Sequence, residues 1–97
     1  MAPDRRIYKY PIDLPVTPLH IPVDAVVLHV GLDPSGESCV WVNQDINSPN
    51  VYRDFYILGT GQSIPDGLKY VGTYKEGAFV WHVWEDIDGI KQTTHNQ

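Results

Sequence analysis

Proline and glycine set the fold of this sequence before any hydrophobic pattern is weighed. Eight of each are spread through 97 residues, and with Asn and Asp they cut the apolar and aromatic residues into short runs bounded by turn chemistry. No run carries apolar residues at the three-to-four spacing of an amphipathic helix. An all-β chain is the expectation.

In chain order, residues 5–10 make a first strand ended by Pro11. Pro15, Pro18 and Pro22 restrict the stretch around Leu19, His20 and Ile21 to a short edge strand or an extended crossing. Residues 24–31 form a Val-rich strand that Asp33, Pro34, Ser35 and Gly36 turn back into 37–43 as a hairpin. A break at 47–50 precedes a long strand over 51–58, which Gly59, Thr60 and Gly61 end. Residues 64–68 read as a loop or a single helical turn, and 69–74 pairs with 78–85 across Lys75, Glu76 and Gly77. Six or seven mostly antiparallel strands at this spacing predict a small β-sandwich or partly open barrel, a single domain over 1–85 with a polar tail over 86–97.

Strand alternation predicts which side chains share a face. Val51, Arg53, Phe55 and Ile57 are set against Tyr52, Asp54, Tyr56 and Leu58; Phe79, Trp81 and Val83 against Ala78, Val80, His82 and Trp84. Val26, Leu28 and Val30 share one side of their strand, Ala25, Val27 and His29 the other. Several strands are therefore apolar on both faces, and a chain this short has a small core. Self-association is the expected source of further burial.

A formal charge of -5 with few clustered basic residues counts against general nucleic-acid binding. No apolar run reaches the roughly 20 residues of a membrane span, and the N-terminal residues lead into no signal-peptide core. One cysteine, Cys39, forbids an internal disulfide and any CxxC pair, and its place within a strand predicts a small buried thiol. A reducing cytoplasm fits.

No catalytic or metal constellation stands out. His82 and Glu85, three apart on a strand, point to opposite faces and cannot grip one metal. Asp86, Ile87, Asp88 and Gly89 lack the remaining ligands of a calcium loop, and Gly61 to Pro65 lacks the final glycine and the helix of a nucleophile elbow. The chain reads as a non-enzyme with no cofactor and no metal.

The binding candidates are cationic, aromatic and amide-rich. Arg5, Arg6, Lys9 and Arg53 are available for phosphate, and Tyr8, Tyr10 and Trp84 offer rings for a planar ligand. Arg6, Tyr8 and Tyr10 share one face of the first strand, Arg5 and Lys9 the other. Thr60 and Gln62 add donors to the loop from Gly59 to Ser63, whose amides can form an anion nest or serve as an ordinary tight turn.

Three blocks of this sequence, Arg6-Ile7-Tyr8-Lys9-Tyr10-Pro11, Leu58-Gly59-Thr60-Gly61, and Tyr70-Val71-Gly72-Thr73 followed by Phe79-Val80-Trp81-His82-Val83-Trp84-Glu85, are similar to a family of small uncharacterised bacteriophage-encoded proteins. The resemblance spans residues 6–85 and carries over no catalytic or binding residue. It implies expression in the cytoplasm of an infected bacterial host, from a genome whose small accessory proteins counter host defence. The expectation is a homo-oligomeric, non-enzymatic binding protein that sequesters a small anionic, nucleotide-like signalling molecule. The alternatives are an acidic protein-interaction inhibitor of a host defence protein and a virion accessory protein.

Overall fold

The computed structural model describes residues 2–87, so the expected tail over 86–97 lies almost wholly outside the described residues. Seven strands follow one another: β1 (Arg5–Pro11), β2 (Val16–Pro22), β3 (Val26–Leu32), β4 (Ser38–Asp45), β5 (Asn50–Gly59), β6 (Leu68–Glu76) and β7 (Phe79–Asp86). They form two antiparallel sheets, β1-β4-β3 and β2-β5-β7-β6. The sheets do not close into a barrel, which decides the expected alternatives in favour of a sandwich. The Cα atoms extend only 15 Å along the shortest axis, as two layers about 10 Å apart require. No described helix is long and apolar enough to cross a membrane.

The predicted β3-β4 and β6-β7 hairpins both form. The stretch rich in proline is longer than expected, a full strand paired with β5 at the edge of its sheet. An edge strand has amides that need no ladder partner, so Pro18 and Pro22 are tolerated there. Residues 64–68 contain no helical turn.

Facing side chains fill the space between the layers. Val30, Val40 and Val42 from the three-stranded sheet meet Leu19, Ile21, Phe55, Ile57, Tyr74 and Val83 from the other. Alternation places the β5 and β7 members correctly. In β3 it fails: the register shifts between Val27 and His29, so Val27 opposes Val42 and Val30 opposes Val40, while Val26 and His29 oppose Asn43 and Trp41. Leu28 is the extra residue of a β-bulge, which resets the face of everything after it. Val26, Leu28 and Val30 therefore do not share one side.

Two interactions lock the sheets together. A Cβ on Gly72 of β6 would lie 2.7 Å from Cγ2 of Val30 on β3, so glycine lets the two strands approach. Deeper inside, Arg53 on β5 and Glu85 on β7 form a bidentate pair, Nε to Oε2 at 2.6 Å and Nη2 to Oε1 at 2.9 Å. Arg53 Nη1 also donates to the carbonyls of Pro22 at 3.0 Å and Ala25 at 2.8 Å. The pair thus holds the crossover from β2 to β3, where the chain passes between sheets.

Arg53→Met strands the buried Glu85 carboxylate and should cost about 3–5 kcal/mol in urea unfolding, whereas Arg53→Met with Glu85→Leu should recover most of that loss. Gly72→Ala should cost about 1–3 kcal/mol through overpacking. Val30→Ala, mild in that background, should give back part of it; additive losses would show that the two sites do not touch.

Candidate functional site

Built from its residues, the expected site divides into three places. Tyr8 and Tyr10 lie opposite Val42 and Val40, and Arg6 opposite Gln44, on the inward face of β1. Tyr10 packs against the core and donates its hydroxyl to Gln44 Oε1 at 2.7 Å. Burial pushes its phenol pKa up. Arg5 and Lys9 lie on the outward face of the same sheet, Lys9 opposite Trp41.

Each of these cations already has a carboxylate of its own chain. Arg6 pairs with Asp4 at 3.0 Å, Arg5 reaches Asp24 at 3.9 Å and donates to Asn43, and Lys9 Nζ meets Asp33 at 2.8 Å. Arg53 corrects the expectation most firmly. Its guanidinium is buried between the sheets, bound by Glu85 and by backbone carbonyls, so it holds the fold and is not available to phosphate. A cavity of about 220 Å³ at the β3-β6 side is lined by Arg53, Glu85 and Lys69, but Glu85 already neutralises the arginine there.

Asp33, Glu37 and Cys39 bring their ligand atoms within 4.8 Å of one another. Asp33 Oδ1 is spent on Ser35 and on the Glu37 amide, and Oδ2 on Lys9. An ammonium in that position competes with any cation. Cys39 is buried, as expected, and burial raises its thiol pKa.

The remaining residues, Thr60, Gln62 and Trp84, do converge. With Leu58, Ile64 and His82 they line a cleft of about 220 Å³ on the outward face of the four-stranded sheet. Gln62 N donates to the Gly59 carbonyl at 3.1 Å, Gly59 N donates to Gln62 Oε1, and Gly61 takes a φ of +95°. The loop is thus a tight turn closed by its own bonds, and the anion nest gives way to that reading. His82 stands at the cleft wall with Nε2 2.9 Å from Thr60 Oγ1 and Nδ1 3.0 Å from Thr73 Oγ1, which in turn meets the Tyr70 hydroxyl.

Register organises the whole face. Val16 opposes Tyr56, Tyr56 opposes Trp84, and Trp84 opposes Tyr70, giving one row across all four strands. The cleft lies on one side of this row. On the other side lie Asp54, opposite Pro18, and Asp86, opposite Leu68. They are the next residues beyond the Phe55–Glu85 rung on the outward face, so the two carboxylates confront each other. Burial and Asp86 together push the Asp54 pKa up. His20 and Tyr52 stack beyond them at 4.5 Å. No described element covers this face.

A family model, Domain of unknown function (DUF7352), matches residues 3–94. The chain belongs to that family. No curated protein and no solved structure matches it. The match to the DUF7352 family runs past Glu85, where the resemblance in the sequence blocks stopped. Within this DUF7352 chain, Tyr56, Tyr70, His82, Ile64 and Asp54 join Trp84 without having been candidates. Alternation already put Tyr56 with Asp54 and His82 with Trp84; that the two strands are neighbours was the missing fact.

Asp33 yields a pH prediction. Hydrogen bonds from Lys9 and Ser35 and the Glu37 amide hold its carboxyl well below the usual range. A carboxyl depressed on folding stabilises above its unfolded pKa, about 3.9, and that contribution is lost as pH falls through the folded value. Asp33→Asn keeps an acceptor for the turn and removes the titration, so its stability should decline less steeply below about pH 4. Parallel acid limbs in urea titrations of the two proteins would contradict this.

Proposed function

We propose that this chain is a non-enzymatic binding protein that captures a small nucleotide-like ligand in the cleft beside Trp84. One observation carries the reading: an unoccluded cleft joins apolar walls from Leu58, Ile64 and Trp84 to polar groups from Thr60, Gln62 and His82. A planar ring stacks on the indole while hydroxyl, amide and imidazole groups select its edge. Both nitrogens of His82 face threonine hydroxyls, an arrangement that favours holding a ligand over turning it over.

Phosphate is met by another copy in this reading. Arg5 and Arg6 sit in exposed ion pairs, which contribute little and exchange easily for a stronger anion. They lie on the other sheet, so a neighbouring subunit brings them to the cleft. Ile7, Val26 and Leu28 on that sheet are 63%, 53% and 50% exposed, and their burial supports a homo-oligomer. In the phage setting that the sequence resemblance implies, the ligand is a defence signal in the host cytoplasm, lowered in free concentration by stoichiometric capture.

Native mass spectrometry should show an oligomer, and cyclic and ADP-ribose-type nucleotides should raise its melting temperature without product formation. Trp84→Ala and Thr60→Val should each weaken calorimetric affinity at least tenfold, a loss of about 1.4 kcal/mol or more. A monomer stabilised by none of these nucleotides overturns the proposal.

A further inference from the structure

The cleft beside Trp84 carries polar groups whose hydrogen-bonding direction is fixed by their neighbours. His82 opposes Leu58 on β5 and Thr73 on β6, and its ring bridges the Thr73 hydroxyl and that of Thr60, two residues beyond Leu58. A neutral imidazole donates from one nitrogen and accepts at the other, and its partners decide which. Both ends of this hydrogen-bond series fix the same direction. At one end the Tyr70 phenol meets Thr73 Oγ1, and a phenol is more acidic than an aliphatic hydroxyl and so the better donor. At the other end Thr60 Oγ1 lies 3.5 Å from the Val80 carbonyl oxygen, which can only accept. Tyr70 thus donates to Thr73, Thr73 to His82 Nδ1 at 3.0 Å, His82 Nε2 to Thr60 at 2.9 Å, and Thr60 towards Val80. Gln62 is fixed in the same way. The Gly59 amide can only donate, so it meets Oε1, and the Gln62 amide nitrogen, a pure donor, is left for the cleft.

We propose that Tyr70 and Thr73 hold His82 as its Nε2–H tautomer and so make Thr60 an acceptor beside the Gln62 donor. The cleft then selects a planar ligand whose edge carries an N–H donor beside an acceptor, as an amino-substituted base does. Thr60 and Gln62 line the cleft with His82, whereas Tyr70 and Thr73 stand outside that lining and act through His82 as positioning residues. A ligand edge without a donor sets one acceptor against the Thr60 lone pairs, and an edge without an acceptor leaves the Gln62 amide unpaired. The other tautomer reverses the series: Thr60 donates to Nε2, and its lone pairs no longer decide which edge fits. For its ligand the inference rests on the proposed nucleotide capture, but the tautomer is a property of the free protein.

Long-range proton–nitrogen correlation spectra of the full chain at about pH 8.5, above the ordinary histidine pKa of about 6.5, should show His82 protonated at Nε2 and bare at Nδ1. The opposite pattern overturns the inference. Thr73→Val removes the donor to Nδ1 and should mix the two tautomers, while Thr73→Ser should restore the single one. A His82 spectrum that Thr73→Val leaves unchanged also overturns it. The ligand arm uses calorimetry with adenosine monophosphate and two analogues methylated on the exocyclic amine. The dimethylated form, which keeps the ring acceptor and has no N–H, should bind about fivefold more weakly, the effect of one neutral hydrogen bond. The monomethylated form, bulkier yet still a donor, should bind like the parent, and Thr73→Val should shrink the difference. Equal affinity for all three forms overturns the inference and leaves the capture reading standing. A monomethylated form as weak as the dimethylated one traces the loss to bulk and does the same. No binding by any of the three overturns both.

Discussion

The sandwich depends on the buried contact between Arg53 and Glu85. Two charges removed from water demand full compensation, and here each carboxylate oxygen takes one guanidinium nitrogen while the third nitrogen serves backbone carbonyls at Pro22 and Ala25. Those carbonyls belong to the segment that carries the chain from one sheet to the other. The ion pair therefore fixes β5 against β7 and also fixes where β3 begins. Among the described residues no buried side-chain nitrogen or oxygen lacks a partner, in keeping with an interior that tolerates a charge pair.

With the interior closed in this way, the outward faces are the surfaces the sandwich presents. A three-stranded sheet over a four-stranded one buries a single layer of side chains, and no described helix covers the reverse of either sheet. The chain nevertheless places Tyr56, Trp84 and Tyr70 in one row on the reverse of the larger sheet. That row divides the face into a cleft with His82 on one side and a pair of carboxylates on the other. Its chemistry is thus asymmetric: indole, hydroxyl, amide and imidazole groups line one half, and two carboxylates lie on the other.

Much of this was legible in the sequence. Alternation within β5 already grouped Arg53 with Phe55 and Ile57, which is a statement of burial, and a phosphate role for Arg53 conflicted with it. The same alternation separated His82 from Glu85 and so removed a metal site. Where alternation failed, in β3, a bulge had inserted Leu28, and no residue there signals such an insertion by its type. Cations were another blind spot: Arg5 and Lys9 read as free charges because their carboxylate partners Asp24 and Asp33 come near only when the chain folds, whereas the Arg6 partner Asp4 lies two residues away and was legible in the sequence.

By itself the sequence determined the fold class, most of the strands and the two hairpins, because turn residues and period-two patterning are local properties of the chain. It also determined which residues within a strand share a face. Only the tertiary structure decided that β7 inserts between β5 and β6, and with it that Tyr56, Trp84 and Tyr70 form one row and that Asp54 confronts Asp86. The reason is that strand order comes from long-range packing: the buried Arg53–Glu85 pair and the Gly72–Val30 approach select it, and neither can be read from neighbours in sequence.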